Sequence, residues 1–291
     1  MTSSTFAGSK FLSIGGSRNI GYHSAVRILA KGGTVTFLLR NPTCFDADVN
    51  IQGYVASGRA RLVKGDALVR ADVSHAWAEA AKGEGEQRVD VLLFTVGATA
   101  GKFSLTKGFL ILPPNLVTQS LLTTLSTIPD QTTPPKIITI SSTGLTKSSH
   151  ASLPLPLKPL YSWFLAGPHE DKVGAEKVVA YCSGRAWDKE DGDAGADIMG
   201  AGWDSEEGVE GLPRGTLQDI VVVRPALLMN GACKADDAST RKHGKARDAY
   251  KVKEGDIGGW TVSRKDVAHF LVEGVLGDWA RWKGKCVSIG Y

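Results

Sequence analysis

Lys10-Phe11-Leu12-Ser13-Ile14-Gly15-Gly16-Ser17-Arg18-Asn19-Ile20-Gly21 is the stretch whose reading decides the fold. A short apolar run (Phe11, Leu12, Ile14) ends in a glycine pair, and Gly21 follows five residues after Gly16. Beyond it, Ala25, Ile28 and Leu29 recur at helical spacing. The pattern predicts strand, tight glycine turn, helix. Glycine suits such a turn because the backbone angles and close approaches it needs leave no room for a Cβ. The free N–H groups and the positive dipole end of the helix then face whatever occupies the turn, and that suits a phosphate.

The next strand adds to this reading. Thr34-Val35-Thr36-Phe37-Leu38-Leu39 is a β-branched and apolar run that ends at Arg40. Dinucleotide-binding folds place at about this distance the residue that meets the adenosine ribose, where an acid suits a free 2′-hydroxyl. Arg40, with Arg18 in the turn, suits a 2′-phosphate instead. The expected cofactor is therefore NADP(H).

Gly15-Gly16-Ser17-Arg18-Asn19-Ile20-Gly21 resembles the Gly-Ala-Ser-Arg-Gly-Ile-Gly turn of the short-chain dehydrogenases/reductases, with Asn19 where the middle glycine stands. Asn is the non-glycine residue that best tolerates a left-handed backbone. Later segments are similar to the atypical branch of that superfamily, which includes NmrA-like, biliverdin reductase B-like and isoflavone-reductase-like proteins. The resemblance implies an α/β fold built on a doubly wound parallel sheet (a Rossmann fold) with a C-terminal substrate-binding portion. All seven residues of the turn, Gly15, Gly16, Ser17, Arg18, Asn19, Ile20 and Gly21, become candidate cofactor ligands.

Composition narrows the class. Across 291 residues, an apolar fraction of 42% and a charged fraction of 22% describe a globular chain with a sizeable core. A net charge of +4 and the absence of a basic, aromatic-interleaved helix argue against nucleic acid as a partner. Cys44, Cys182, Cys233 and Cys286 are scattered and read as reduced thiols, with neither a disulfide framework nor a metal site expected. No apolar run approaches the ~20 residues a membrane span needs, and no signal peptide is visible. A cytoplasmic monomer or homodimer acting on a small molecule is expected.

Along the chain, Asn41-Pro42-Thr43 is a turn, and the mixed stretch to Ser57 allows a short helix. Ala60 to Ala67 reads as a brief strand ending in Gly65-Asp66. The resemblance gives Asp66 a contact with the adenine amino group, whereas its side chain alone equally suits a cap on the following helix, Val69 to Lys82. Val89 to Ala98 reads as a central buried strand, and Gly97 at its end lets a cofactor lie against the backbone. A helix from Asn115 to Ile128 follows. Lys136 to Gly144 is the next strand, ending in Ser141 and Ser142. The resemblance gives one of these hydroxyls the substrate carbonyl, with capping of the strand end as the alternative.

The proline-rich stretch 150–160 must be loop, and a helix runs from Pro168. In the resembled superfamily a Tyr four residues before a Lys opens this helix, and the Lys lowers the Tyr pKa so that the phenol passes a proton to the carbonyl. Lys172 matches the Lys, but Pro168 stands where the Tyr belongs. Tyr161 is too distant along the chain to be a direct replacement. His169 is the nearest titratable donor, unless it merely opens the helix. Lys172 is either catalytic or a ligand of the nicotinamide ribose.

Residues 183–216 are dense in Gly, Asp and Glu and read as an acidic surface insertion, with Trp187 and Trp203 docking part of it. Leu217 to Leu228 is the next strand. Its Val223-Arg224-Pro225-Ala226-Leu227-Leu228 ending is similar to the atypical branch's Val-Arg-Pro signature, which implies that Pro225 turns the chain over the nicotinamide. Residues 234–253 read as an excursion forming a substrate wall. Ser263-Arg264-Lys265-Asp266-Val267-Ala268 also matches the branch, with Ser263 capping a helix and Arg264 and Asp266 structural. Residues 283–291 form the last strand. The chain thus reads as one domain, 1–291, with 229–291 on the substrate side. An NADP(H)-dependent reductase of a carbonyl, enone, imine or quinone is expected, with an NADP-sensing regulator and a non-redox isomerase or cyclase as alternatives.

Overall fold

The computed structural model describes residues 5–97, 101–104, 108–111, 113–145, 166–188, 191–205, 207–237, 249–257 and 259–291. The proline-rich stretch 150–160, Tyr161 and the middle of the 234–253 segment lie outside the described residues.

The strands are β1 (Lys10–Ile14), β2 (Thr34–Leu39), β3 (Ala60–Lys64), β4 (Val91–Phe94), β5 (Gly101–Ser104), β6 (Gly108–Ile111), β7 (Lys136–Ile140), β8 (Ile220–Pro225), β9 (Leu227–Met229), β10 (Lys251–Glu254), β11 (Thr261–Ser263) and β12 (Cys286–Gly290). The helices are α1 (Asn19–Ala30), α2 (Val49–Ala56), α3 (Arg70–Ala81), α4 (Leu116–Leu125), α5 (Ala166–Ser183), α6 (Ala196–Met199), α7 (Arg264–His269) and α8 (Trp279–Trp282), with a π-helical run Phe270–Val275 extending α7. Eight strands form one sheet in the order β10-β12-β8-β7-β4-β1-β2-β3. Every pair in it is parallel except β10 with β12. The strand order reverses between β1 and β4, which opens a crevice at their carboxyl ends.

Alternation along the central strands builds a core on each face. Leu12, Ile14, Leu92, Phe94, Ile220 and Val222 pack with α3, α4 and α5, while Phe11, Leu93, Ile138, Val221 and Val223 pack with α1, α7 and the π-helical run. Burial on both faces is why these strands read as continuous apolar runs. Trp77 of α3 is 1% exposed, and burying a side chain of that size contributes roughly 3 kcal/mol.

Several boundaries move for visible reasons. β4 begins at Val91, not Val89, because the Gln131 side chain takes both the N–H and the carbonyl of Val89, at 3.2 and 3.0 Å. α4 stops at Leu125, where the Thr127 hydroxyl donates to the carbonyls of Thr123 and Thr124. The strand expected over 217–228 divides into β8 and β9, the latter leaving the sheet to pair with β11. Within the segment read as an excursion, residues 251–254 are β10, an edge strand of the main sheet. In the acidic stretch, Ala194, Ile198, Met199, Trp203 and Leu212 are buried in the core beside α4 and α5.

Candidate functional site

The glycine turn follows β1 directly. Gly15 has φ +86°, and a Cβ there would sit 2.6 Å from the backbone of Thr95 and Val96. Asn19, at φ 55°, is the only non-glycine residue with positive φ among the described residues. A Cβ at Gly21 would stand 2.3 Å from Thr95 Oγ1, and one at Gly16 2.3 Å from Ser13 Oγ. Gly16 and Gly21 therefore serve packing of the turn against β1 and β4. The turn delivers α1 with its first N–H groups uncapped by any side chain and no acid in the first turn. By contrast, Asp48 caps α2, Ser263 caps α7 and Asp278 caps α8, while α3 and α6, also uncapped, carry Asp72 and Asp197 in their first turns. An uncapped, dipole-positive helix start over a glycine turn is a ready anion site.

That turn forms the middle of a cleft of about 620 Å³. Gly15, Ser17, Arg18, Asn19 and Ile20 line it, with Arg40, Asp66, Gly97 and Lys172. Ser141, Ser142, Pro225 and His169 do not line it, although Lys172 Nζ donates to the Ser141 carbonyl at 3.2 Å. Pro225 is buried, and its carbonyl accepts from the Thr143 amide at 3.0 Å. Asp66 Oδ1 accepts from the Leu68 amide at 3.0 Å, so its side chain shapes the local turn while facing the cleft.

Apart from Asp66, the charged side chains along the walls are cationic. Arg18, Arg40 and Arg264 all line the cleft, and none has a carboxylate partner among the described residues, whereas Arg224 is paired with Glu176 and Arg27 with Asp236. Burial pushes Lys172 down to about 8, against the pull of Glu176 and Asp171, which favour its charged form. Ser120 of α4, the helix that packs on α5, also lines the cleft; it is fully buried, and its hydroxyl has no hydrogen-bond partner among the described residues.

Two neighbours of Lys172 on α5 fix its position. Asp171, fully buried, accepts from the amides of Val117 and Thr118, both at 2.8 Å, and so caps α4 from a different helix. Glu176, one turn beyond Lys172, holds Arg224 of β8 through two hydrogen bonds of 2.9 and 2.5 Å. Lys172 is thereby fixed between the start of α4 and the end of β7.

Sequence reasoning missed Thr95, Ser120, Leu228 and Arg264 as cleft residues. Thr95 carried a signal, because it closes the central strand where small polar residues meet a ligand. Ser120 and Arg264 carried none, since helix packing alone brings them to the cleft.

Fold and cleft together define an α/β protein of the doubly wound kind, its cleft at the switch point of the sheet. No protein-family model matches the chain. A protein named reductase pytE from Aspergillus terreus is 28% identical over 180 residues, covering 60% of this chain and 56% of the relative, so the chain matches little more than half of that relative's length. A short-chain dehydrogenase from Burkholderia cenocepacia, solved in complex with NADP, is similar with a TM-score of 0.55 at 19% identity, covering 98% of this chain and 97% of that one. A blue fluorescent protein from a metagenomic library, solved with NADPH, gives 0.53 at 17% identity with the same coverage. At these identities the likeness is one of fold.

Proposed function

We propose that the chain is an NADP(H)-dependent reductase of the short-chain dehydrogenase/reductase type, acting on a small carbonyl, enone, imine or quinone-like substrate without the usual tyrosine. One observation carries the reading: the glycine turn, the uncapped start of α1, three unneutralised arginines and Lys172 line a single cleft. The name of the Aspergillus terreus relative and the NADP and NADPH held by the two similar solved structures support it.

The residues present fit the cofactor. Gly15 keeps the turn open where a Cβ would close it, and the amides that begin α1 would meet the diphosphate. Arg40, with Arg18, would hold the 2′-phosphate, and Asp66 the adenine. When bound, NADPH supplies the hydride, leaving orientation and a proton to the protein. Lys172 would hold the nicotinamide ribose or donate that proton. With its pKa near 8 it is about nine-tenths protonated at pH 7, so a donor is available without a phenol. Ser141 and Ser142 close β7 next to it, and one of them would orient the substrate oxygen. His169, three residues before Lys172 on α5, is the second candidate donor.

Pro168 in the tyrosine's place favours one other reading, an NADP-sensing regulator resembling NmrA. Titration with NADPH and NADH, followed by NADPH oxidation against aldehydes, quinones and enones, separates the two. Binding with turnover supports the reductase, binding without turnover the sensor, and a chain that binds neither dinucleotide refutes both. Arg40→Ala is expected to weaken NADPH about 10- to 100-fold, as for a lost charge-assisted contact, and to leave NADH nearly unchanged. Equal losses would reject the 2′-phosphate assignment.

A further inference from the structure

Arg264 is the first residue of α7, which is separated in sequence from every other cleft residue except Leu228 by more than ninety positions. Its Nη1 donates to Asn230 Oδ1 at 2.9 Å and to the Leu228 carbonyl at 3.4 Å. Both acceptors are neutral, so the guanidinium is held in place without being neutralised. The arginines seen joined to a carboxylate in the described residues (Arg27, Arg88, Arg224) lie outside the cleft. A fixed, half-buried cation with Nε and Nη2 left over is a preordered fork for an oxyanion.

Helix register says which oxyanion. Lys31, just past the end of α1, pairs with Glu273 of the π-helical run that extends α7, at 2.9 Å, and the charge of Lys265 at the start of α7 acts on His23 at the start of α1. The two pairs advance by eight residues on each element, so α1 and α7 run parallel with their N-terminal ends together. Arg264 therefore stands at the end of α7 that lies beside the glycine turn. Arg40 and Asp66 lie on the other side of that turn, at the ends of β2 and β3. The 2′-phosphate end and Arg264 are thus separated by the turn itself.

We infer that Arg264 is a cofactor-positioning residue that meets the dinucleotide diphosphate from beside the glycine turn, with Asn230 holding its guanidinium in register. The inference rests on the dinucleotide reading above. It predicts a clamp in which backbone amides of α1 bind one side of the diphosphate and a side-chain fork binds the other.

The test is equilibrium binding of NADPH, NADH, ADP-ribose and adenosine 2′-monophosphate to the full chain and to Arg264→Gln. The first three share the diphosphate, and the fourth lacks it. The variant is expected to bind NADPH, NADH and ADP-ribose about 10- to 100-fold more weakly, by similar factors, and the monophosphate as the parent does. Arg264→Lys should recover only part of the loss, because it restores charge without the fork. Should Arg264→Gln fail to fold, Asn230→Ala serves in its place, with a smaller loss of the same pattern. Unchanged dinucleotide affinity overturns the inference, as does a loss confined to NADPH and the monophosphate. If the parent chain binds neither dinucleotide, the cofactor reading fails instead.

Discussion

Replacing Lys172 by Met should make the protein more stable at pH 7, although it removes a residue proposed to be functional. Burial holds the Lys172 ammonium at a pKa of about 8 instead of its ordinary 10.5. Below pH 8 the folded and unfolded chains both carry the proton, and the fold bears the full cost of burying the charge. The shift corresponds to about 3 kcal/mol at 1.36 kcal/mol per unit. Met removes that cost and forfeits the bond from Nζ to the Ser141 carbonyl, worth about 1 kcal/mol. A net gain of about 2 kcal/mol remains, or a rise of roughly 5 °C in Tm. Between pH 8 and 10.5 only the unfolded parent chain still binds the proton, so the parent gains stability with rising pH and its deficit shrinks. At pH 9.5 the electrostatic part should fall to roughly half of its value at pH 7. Urea unfolding followed by tryptophan fluorescence at both pH values measures this. A variant less stable than the parent at pH 7, or a difference that is the same at both pH values, would refute the reasoning. Cofactor affinity or turnover should fall in the same variant, since the half-buried cation lines the cleft and is retained at a cost to the fold.

Gly15→Ala forces φ +86° on a residue with a Cβ and drives that Cβ to 2.6 Å from the Thr95 backbone. A loss of about 2–4 kcal/mol in stability is expected, together with loss of NADPH binding by calorimetry; an unaltered Tm would show that the turn is looser than described. Glu176→Gln leaves Arg224 buried with only Asp256, at 3.5 Å, for a carboxylate partner. It should cost about 3 kcal/mol in denaturant unfolding, whereas the double variant Glu176→Gln, Arg224→Met should recover most of that loss. If the double variant is no more stable than the single one, the cost is not that of an uncompensated charge.

Local periodicity carried the nucleus of the fold. Phe11, Leu12 and Ile14 form β1, and Ala25, Ile28 and Leu29 are all fully buried on α1, because strand and helix each bury a face whose spacing is written in consecutive residues. Arg40 was placeable for the same reason: it follows the last residue of β2, a strand whose length is set by its own apolar run. β10 was not legible, since Lys251-Val252-Lys253-Glu254 has one apolar residue and pairs only at an edge, where lysines keep the strand from recruiting another chain. The acidic stretch misled in the same way. Its buried Ala194, Ile198, Met199, Trp203 and Leu212 have no common period, because each fills a gap against α4 or α5 and does not line the face of one long element.

The site divides along the same line between local and long-range information. The turn and Arg40 lie within one β-α-β unit, so their spacing alone brings them together. Asp171 reads in sequence as an acid in the first turns of its own helix, yet its carboxylate caps α4, more than fifty residues earlier in the chain. Arg264 reads as a capping-box neighbour, yet parallel packing of α7 on α1 carries it to the cleft wall. In both cases the side chain's task is set by a partner helix that the local sequence does not specify. A cleft built this way couples cofactor affinity to helix packing, so substitutions at the α1–α7 contact that touch no ligand should still weaken binding by displacing Arg264. Ala268→Leu tests that coupling: Ala268 is fully buried on α7, and the added volume must move the helix or its neighbours. A chain that stays folded but loses affinity for NADPH and NADH alike would locate the effect at the shared diphosphate, whereas full affinity in a folded variant would mean that Arg264 is held by Asn230 and Leu228 alone.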